Sequence, residues 1–316
     1  MSIQITNSGV PRPIESRSLG LQRRFWRLWH SSENLRGYTL LMPTLLFVVA
    51  MLIVSVVTLI VQSFTGGVGA DGTISYTLDH YAMIFTPNGE IYRVLLARSL
   101  WISLLITVCV VLFCYPIAYV LAFHVHKHKV FWLIVITIPF WASYLLRIFS
   151  WKVILQHEGV INSILLGLGI IDLPLDTLLH NRSAVIVTLT HAWAAFAILP
   201  IYISLEKIDR SWLEAAIDLG DSFMHRFWRI TLPLSMPGVL GATLLLFIKN
   251  VGDYVSPALV GGVSGTMIGN IIVSLFTDMS NEPLAAAVSI VMMLAITLVV
   301  CVFVLLIGGR KRLKGA

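Results

Sequence analysis

The sequence predicts an all-α integral membrane protein with six transmembrane helices and both termini in the cytoplasm. Three observations predict it. Of 316 residues, 57% are hydrophobic and only 12% are charged, where a soluble domain carries about 25% charged residues. Six apolar runs, near residues 39–62, 99–123, 130–151, 184–204, 236–259 and 284–307, are long enough to cross a bilayer, which takes about 20 residues. The basic residues are unevenly shared between the connecting segments. Arg12, Arg17, Arg23, Arg24, Arg27 and Arg36 precede the first run, Lys127 and Lys129 follow the second, Lys207, Arg210, Arg226 and Arg229 follow the fourth, and Arg310, Lys311, Arg312 and Lys314 close the chain. The opposite segments hold only Arg93, Arg98, Lys152 and Arg182. Positive residues mark the cytoplasmic side, so both ends belong there.

In chain order, residues 1–38 form a cytoplasmic tail whose first part, rich in Ser, Pro and Arg, has no apolar period. Leu21, Phe25, Leu28 and Trp29 then make one apolar stripe with Arg23, Arg24 and Arg27 off it. That pattern fits a helix lying in the membrane interface, or an unstructured juxtamembrane tail. The first apolar run is too long for a signal peptide and follows a long tail, so it reads as an uncleaved anchor. The membrane domain spans 39–307 and a basic tail 308–316 ends the chain. The outer segments 63–98, 152–183 and 260–283 carry turn signals and short amphipathic pieces, with no room for a soluble domain. Cys109, Cys114 and Cys301 all lie in apolar runs and read as small hydrophobes. His124, His126, Lys127 and His128 alternate at a cytoplasmic helix end without a nearby carboxylate or thiol, so they read as an interfacial loop facing anionic lipid and not as a metal site.

The cytoplasmic segment 205–235 is the most structured polar stretch. Ser211 stands three residues before Glu214, the spacing of a capping box, and Trp212–Leu219 then reads as two helical turns ended by Gly220. Asp221 or Ser222 is placed to cap a second short helix, which Pro233 and Pro237 close. Glu214-Ala215-Ala216, Gly220, and Ile230-x-Leu232-Pro233 together resemble the EAA loop of ABC-importer permeases of type I. In that family the loop is the helix that docks on an ATP-hydrolysing subunit. The resemblance implies the type I permease fold, coupling through Glu214, Ala215, Ala216, Gly220, Ile230, Leu232 and Pro233, and a complex. Its partners would be two ATP-binding subunits carrying ATP and Mg, a second permease subunit, and a periplasmic or lipid-anchored binding protein. No GxxxxGK[ST], HExxH or GxSxG occurs, so the chain binds no cofactor of its own and reads as no enzyme. Its basic pI near 9.3 is explained by topology, not by nucleic acid.

Ionisable groups inside spans are costly and raise a functional expectation. Asp253, in Lys249-Asn250-Val251-Gly252-Asp253-Tyr254, either faces a water-filled path that takes a cation or pairs with Lys249 one turn away. Along Pro139–Trp151, Phe140, Tyr144, Arg147 and Trp151 fall on one helical face. Aromatic faces attract ammonium groups, so Trp141 and Tyr144, with Ser143 and Tyr254 beside them, are candidates for the solute path; an aromatic belt is the alternative. Tyr115–Tyr119, Ile138–Trp151, Gly159–Asn162 and Gly252–Leu259 are similar to the spermidine/putrescine subfamily. That similarity implies import of a small cation, most simply a polyamine. The same scaffold also serves opines, aminophosphonates, amino-acid derivatives and ferric ion. An ATP-independent transporter would need a relay of acids, and Asp253 is the lone acidic residue within a run.

Overall fold

A computed structural model describes residues 33–68 and 74–313; the expected interfacial helix at 21–29 lies outside the described residues. The chain divides into two units, one ending at Leu59 and one running from Ile60. Helix α1 (Glu33–Phe64) fills the described part of the first and enters the second. From Gly37 to Phe64 its mean hydropathy reaches 3.0, and Leu40, Leu45, Phe47 and Leu52 are exposed, a surface suited to lipid and not to water.

In the second unit the apolar runs become long helices. They are α3 (Glu90–Phe123), α11 (Leu232–Val251) and α14 (Glu282–Leu313). Two more runs are helix pairs bent at a break. The first comprises α4 (Lys129–Thr137), a 3-10 turn Ile138–Trp141, α5 (Tyr144–Leu155) and α6 (Val160–Gly167), with an 82° bend. Pro139 starts the 3-10 turn, and Ala142 and Ser143 are extended, which separates the helices. The one-helix face expected over 140–151 is therefore cut before Tyr144. The second pair is α7 (Arg182–Ala192) and α8 (Ala194–Glu206), bent by 48° at Trp193. A third pair, Pro257–Gly265 with α13 (Ile268–Thr277), bends by 110°; the helical turn α12 (Gly262–Gly265) ends its first arm. Gly262 has φ +55°, and a Cβ there would meet the His180 carbonyl at 2.4 Å, so only glycine fits.

One stripe of α3, Ile102, Ile106, Val110, Cys114 and Ala118, recurs every fourth residue and is buried against Val185 and Leu189 of α7, Ile198, Ile201 and Leu205 of α8, and Ala242 and Leu246 of α11. A second cluster joins Ile84 of α2 (Asp79–Phe85), Leu95, Ile268, Leu275, Leu284 and Val288. Small residues bring α8 and α11 close, as membrane packing favours. Two short strands depart from the all-helical expectation. β1 (Thr65–Val68) pairs antiparallel with β2 (Ile74–Tyr76), with an irregularity between Thr65 and Gly67. Thr, Val, Ile and Tyr favour the pleated ladder there.

Candidate functional site

The 205–235 loop folds as a short helix, a turn and a second helix that continues into α11. Helix α9 (Arg210–Asp218) is capped by Asp209, whose side chain accepts from the Ser211 amide at 3.0 Å. The cap is thus two residues earlier than the expected Ser211, because an aspartate already stands at the bend. That bond holds the Asp209 carboxyl below its ordinary range; its contribution is complete above the ordinary aspartate range and is lost as pH falls through the lowered value. Gly220 has φ +82°, the left-handed close that the spacing predicts. Ser222 caps α10 (Phe223–Arg226) by accepting from the His225 amide. Pro233 and Pro237 do not end the helix. A π-helical turn, Phe227–Thr231, joins α10 to α11 in one continuous helix, and Pro233 sits just past it, where the wider winding accommodates a residue without an N–H donor. Pro237 is absorbed within α11, and the Gly238 amide next to it donates to Ser204 Oγ of α8 at 3.2 Å.

Ala215, Ala216 and Ile230 line one groove of about 550 Å³ with Ser211, Trp212, Leu219, Asp221 and Arg229. Glu214 is exposed beside it and has no hydrogen bond or ion pair among the described residues. Leu232 is half-buried and Pro233 exposed at the start of α11. The loop is braced from above. Tyr115 meets Phe227 edge-on at 5.7 Å and shares a hydrogen bond with Ser235 Oγ at 2.9 Å, while Tyr119 packs against Phe223 at 6.0 Å. Lys129 pairs with Glu206 at 2.7 Å and fixes the end of α8 that leads into the loop.

The second site lies where α11 stops. Gly252 caps the helix, so Asp253 is past its end and is only 9% exposed. Tyr144, at the start of α5, donates its hydroxyl to Asp253 Oδ2 at 2.7 Å and shares another bond, also 2.7 Å, with Ser256 Oγ. The Val255 amide donates to Oδ1 at 3.1 Å. Among the described residues no cation lies within ion-pair distance of Asp253. Lys249 turns elsewhere: its Nζ is 3.8 Å from the Trp193 ring centroid and 4.7 Å from that of Phe196. Trp193 in turn stacks on Tyr144 at 4.9 Å with the planes 16° apart. Arg147 is held locally without an anionic partner among the described residues. It donates to the Ala192 carbonyl at 2.8 Å and lies over the Phe140 ring at 5.3 Å. The bend at Trp193 diverts the Phe196 amide to the Trp193 carbonyl, which leaves the Ala192 carbonyl open for that guanidinium.

Of the predicted path residues, Tyr144 and Asp253 are brought together. The side chains of Trp141, Ser143 and Tyr254 are exposed and do not join the hydrogen-bonded cluster; the Tyr254 carbonyl instead accepts from Asn270. Sequence reasoning missed Trp193 and misplaced the partner of Lys249. Ser256 lies in a segment the sequence singles out, but its role needs the approach of α5. What the cluster offers chemically is a buried carboxylate beside stacked aromatic rings. Both are ordinary ways to hold an ammonium group.

A family model described as "Binding-protein-dependent transport system inner membrane component" matches residues 94–312. The chain is 36% identical over 228 residues to the spermidine/putrescine transport system permease protein PotB of Escherichia coli strain K12, covering 72% of this chain and 82% of that one. It is 34% identical over 227 residues to PotB of Haemophilus influenzae, covering 72% and 78%. It is also 29% identical over 292 residues to the inner membrane ABC transporter permease protein YdcU of Escherichia coli, covering 85% and 89%. Among solved structures, a bacterial ABC transporter involved in the import of the acidic polysaccharide alginate superposes with TM-score 0.64 at 18% identity, covering 93% of this chain and 99% of that chain. The likeness in shape supports the type I permease architecture.

Proposed function

Because the chain belongs to the family of binding-protein-dependent transport system inner membrane components, and is thus an inner-membrane permease subunit and not an enzyme, we propose that it forms half of the path for a polyamine. The observation that carries this reading is the Asp253 carboxylate, buried, free of an ion pair among the described residues and held by Tyr144 next to the Trp193 ring. A polyamine has the matching chemistry, several ammonium groups on apolar spacers. The relatives named for spermidine and putrescine support the same choice.

Six spans follow if the two bent pairs over 129–167 and 182–206 each cross once and the 110° pair over 257–277 re-enters from one side. With both termini cytoplasmic, residues 1–38 and 308–316 flank the membrane domain 39–307. The groove at Ala215, Ala216 and Ile230, with Glu214 at its edge, faces the cytoplasm and takes a surface of the ATP-binding subunit. Gly220, Leu232 and Pro233 set its shape. ATP and Mg are carried by two such subunits, a second permease completes the path, and a periplasmic or lipid-anchored binding protein delivers the solute. Trp141, Ser143 and Tyr254, exposed near the cluster's elements, line the wider path before Asp253.

The test is ATP-dependent uptake of labelled spermidine and putrescine by vesicles holding the whole complex and its binding protein. Saturable uptake that needs ATP supports the reading. ATPase activity without polyamine uptake retains the permease and moves the solute to opines, aminophosphonates, amino-acid derivatives or ferric ion. In the same vesicles Asp253→Asn removes the charge and keeps one of the two accepting oxygens. A charge-assisted contact contributes about 1.5–3 kcal/mol, so uptake is expected to fall about 10- to 100-fold. Unchanged rate and apparent affinity would remove Asp253 from the path.

A further inference from the structure

Lys249 is exposed in the last turn of α11, and its ammonium lies over an aromatic face. It lies 3.8 Å from the Trp193 centroid and 4.7 Å from the Phe196 centroid. Tyr144 stacks on the same indole at 4.9 Å. The ammonium lies over the indole and Tyr144 stacks nearly parallel to it, so Trp193 is in contact with both. That arrangement contributes to its being 5% exposed. Tyr144 then reaches Asp253 with its hydroxyl. The order is ammonium, indole, phenol, carboxylate. Its two ends are the two devices that hold an amine, an aromatic face and an anion. One of them is already filled, by an amine of the protein itself.

Resting on the polyamine reading, we propose that Lys249 is a tethered competitor for the amine site on Trp193 and Phe196. Its ammonium covers the aromatic face when the path is empty, and an ammonium group of the solute displaces it while another is drawn to Asp253. The exchange is like for like, since a lysine side chain ends in the same primary ammonium as a polyamine. The solute takes over the cation–π attraction that Lys249 gives up, so the net affinity of the path stays low. A conduction site must be attractive enough to enter and weak enough to leave. Lys249 is held at its ammonium by the two rings alone: among the described residues that group makes no hydrogen bond and no ion pair, and the residue is exposed.

The experiment uses the complete complex in nanodiscs, without ATP and without binding protein, titrated with radiolabelled spermidine. Lys249→Met removes the competitor and keeps the bulk of the stem. It is expected to bind spermidine about tenfold more tightly than wild type, the scale of a partly desolvated cation–π contact. Lys249→Arg should bind as wild type does, and Lys249→Gln should follow Lys249→Met if the latter assembles poorly. The gain should vanish in the double variant Trp193→Leu, Lys249→Met, because the vacated face is gone. A filler role predicts no gain, or one indifferent to Trp193, and either result overturns the proposal. Wild-type uptake of spermidine with unaltered Lys249→Met binding defeats this inference alone. No uptake and no binding by any form defeats the polyamine reading and this inference together.

Discussion

Glu214→Ala is expected to cut ATP-driven uptake by about 10- to 100-fold while the assembled complex remains in the membrane. Glu214 stands exposed at the edge of the Ala215–Ala216–Ile230 groove and has no partner within the described residues. Its removal therefore costs the folded permease nothing that the structure shows. What it removes is a carboxylate offered to a neighbour, and a hydrogen bond to a charged group contributes about 1.5–3 kcal/mol. Helix α9 itself is held by the Asp209 cap and by Gly220, so the loop keeps its shape in the variant. The measurement is paired: solute uptake, and recovery of the ATPase subunit with the tagged permease. Full uptake would refute the coupling role of Glu214. Loss of the ATPase subunit from the complex would place Glu214 in attachment and not in transmission.

Gly238→Val is expected to remove most of the folded permease, where Gly241→Val, one turn away on the same helix, leaves it in place. A Cβ at 238 would lie 2.4 Å from the Pro200 carbonyl oxygen and 2.5 Å from Ser204 Cβ, whereas at 241 nothing lies within 4 Å. The obstacle is backbone, which cannot turn aside as a side chain can. Overpacking of this kind costs about 1–3 kcal/mol or more. It also separates the Gly238 amide from Ser204 Oγ, a polar contact between α8 and α11. Detergent extraction followed by size-exclusion chromatography checks both variants. A monodisperse Gly238→Val protein at wild-type yield would mean that α8 and α11 are not locked together there.

Much of this architecture is legible in the chain because its causes are local. Bilayer thickness sets the length of apolar runs, and the long helices α3, α11 and α14 overlap them, although α11 stops at Val251, short of the 259 expected for the fifth run. Gly220 and Ser222 announce themselves, since a positive φ and a free helix N-terminus each demand particular residues. Other features have causes far away in sequence. Trp193 breaks a span with neither Gly nor Pro, and the break is supported by Arg147, 45 residues earlier. Lys249 and Asp253 look like a helical pair only if the helix continues, and it stops at Val251. Once it stops, Asp253 turns to Tyr144 and Lys249 to Trp193. Periodicity within one segment cannot display either choice. The cap at Asp209 in place of Ser211 is a smaller case: two acceptors compete for one helix end, and the bend decides between them.

The π turn at Phe227–Thr231 joins the 205–235 loop to α11. An α-helix turns about 100° and rises about 1.5 Å per residue, and a π turn holds one residue more than α winding needs. The joint therefore has the pitch of a screw thread. Drawing that residue into or out of the turn would twist Arg229 and the groove beside it through roughly a quarter of a revolution for an axial travel shorter than a covalent bond pair. A displacement of α9 along the axis of α11 would pass through this thread and emerge as rotation of that helix.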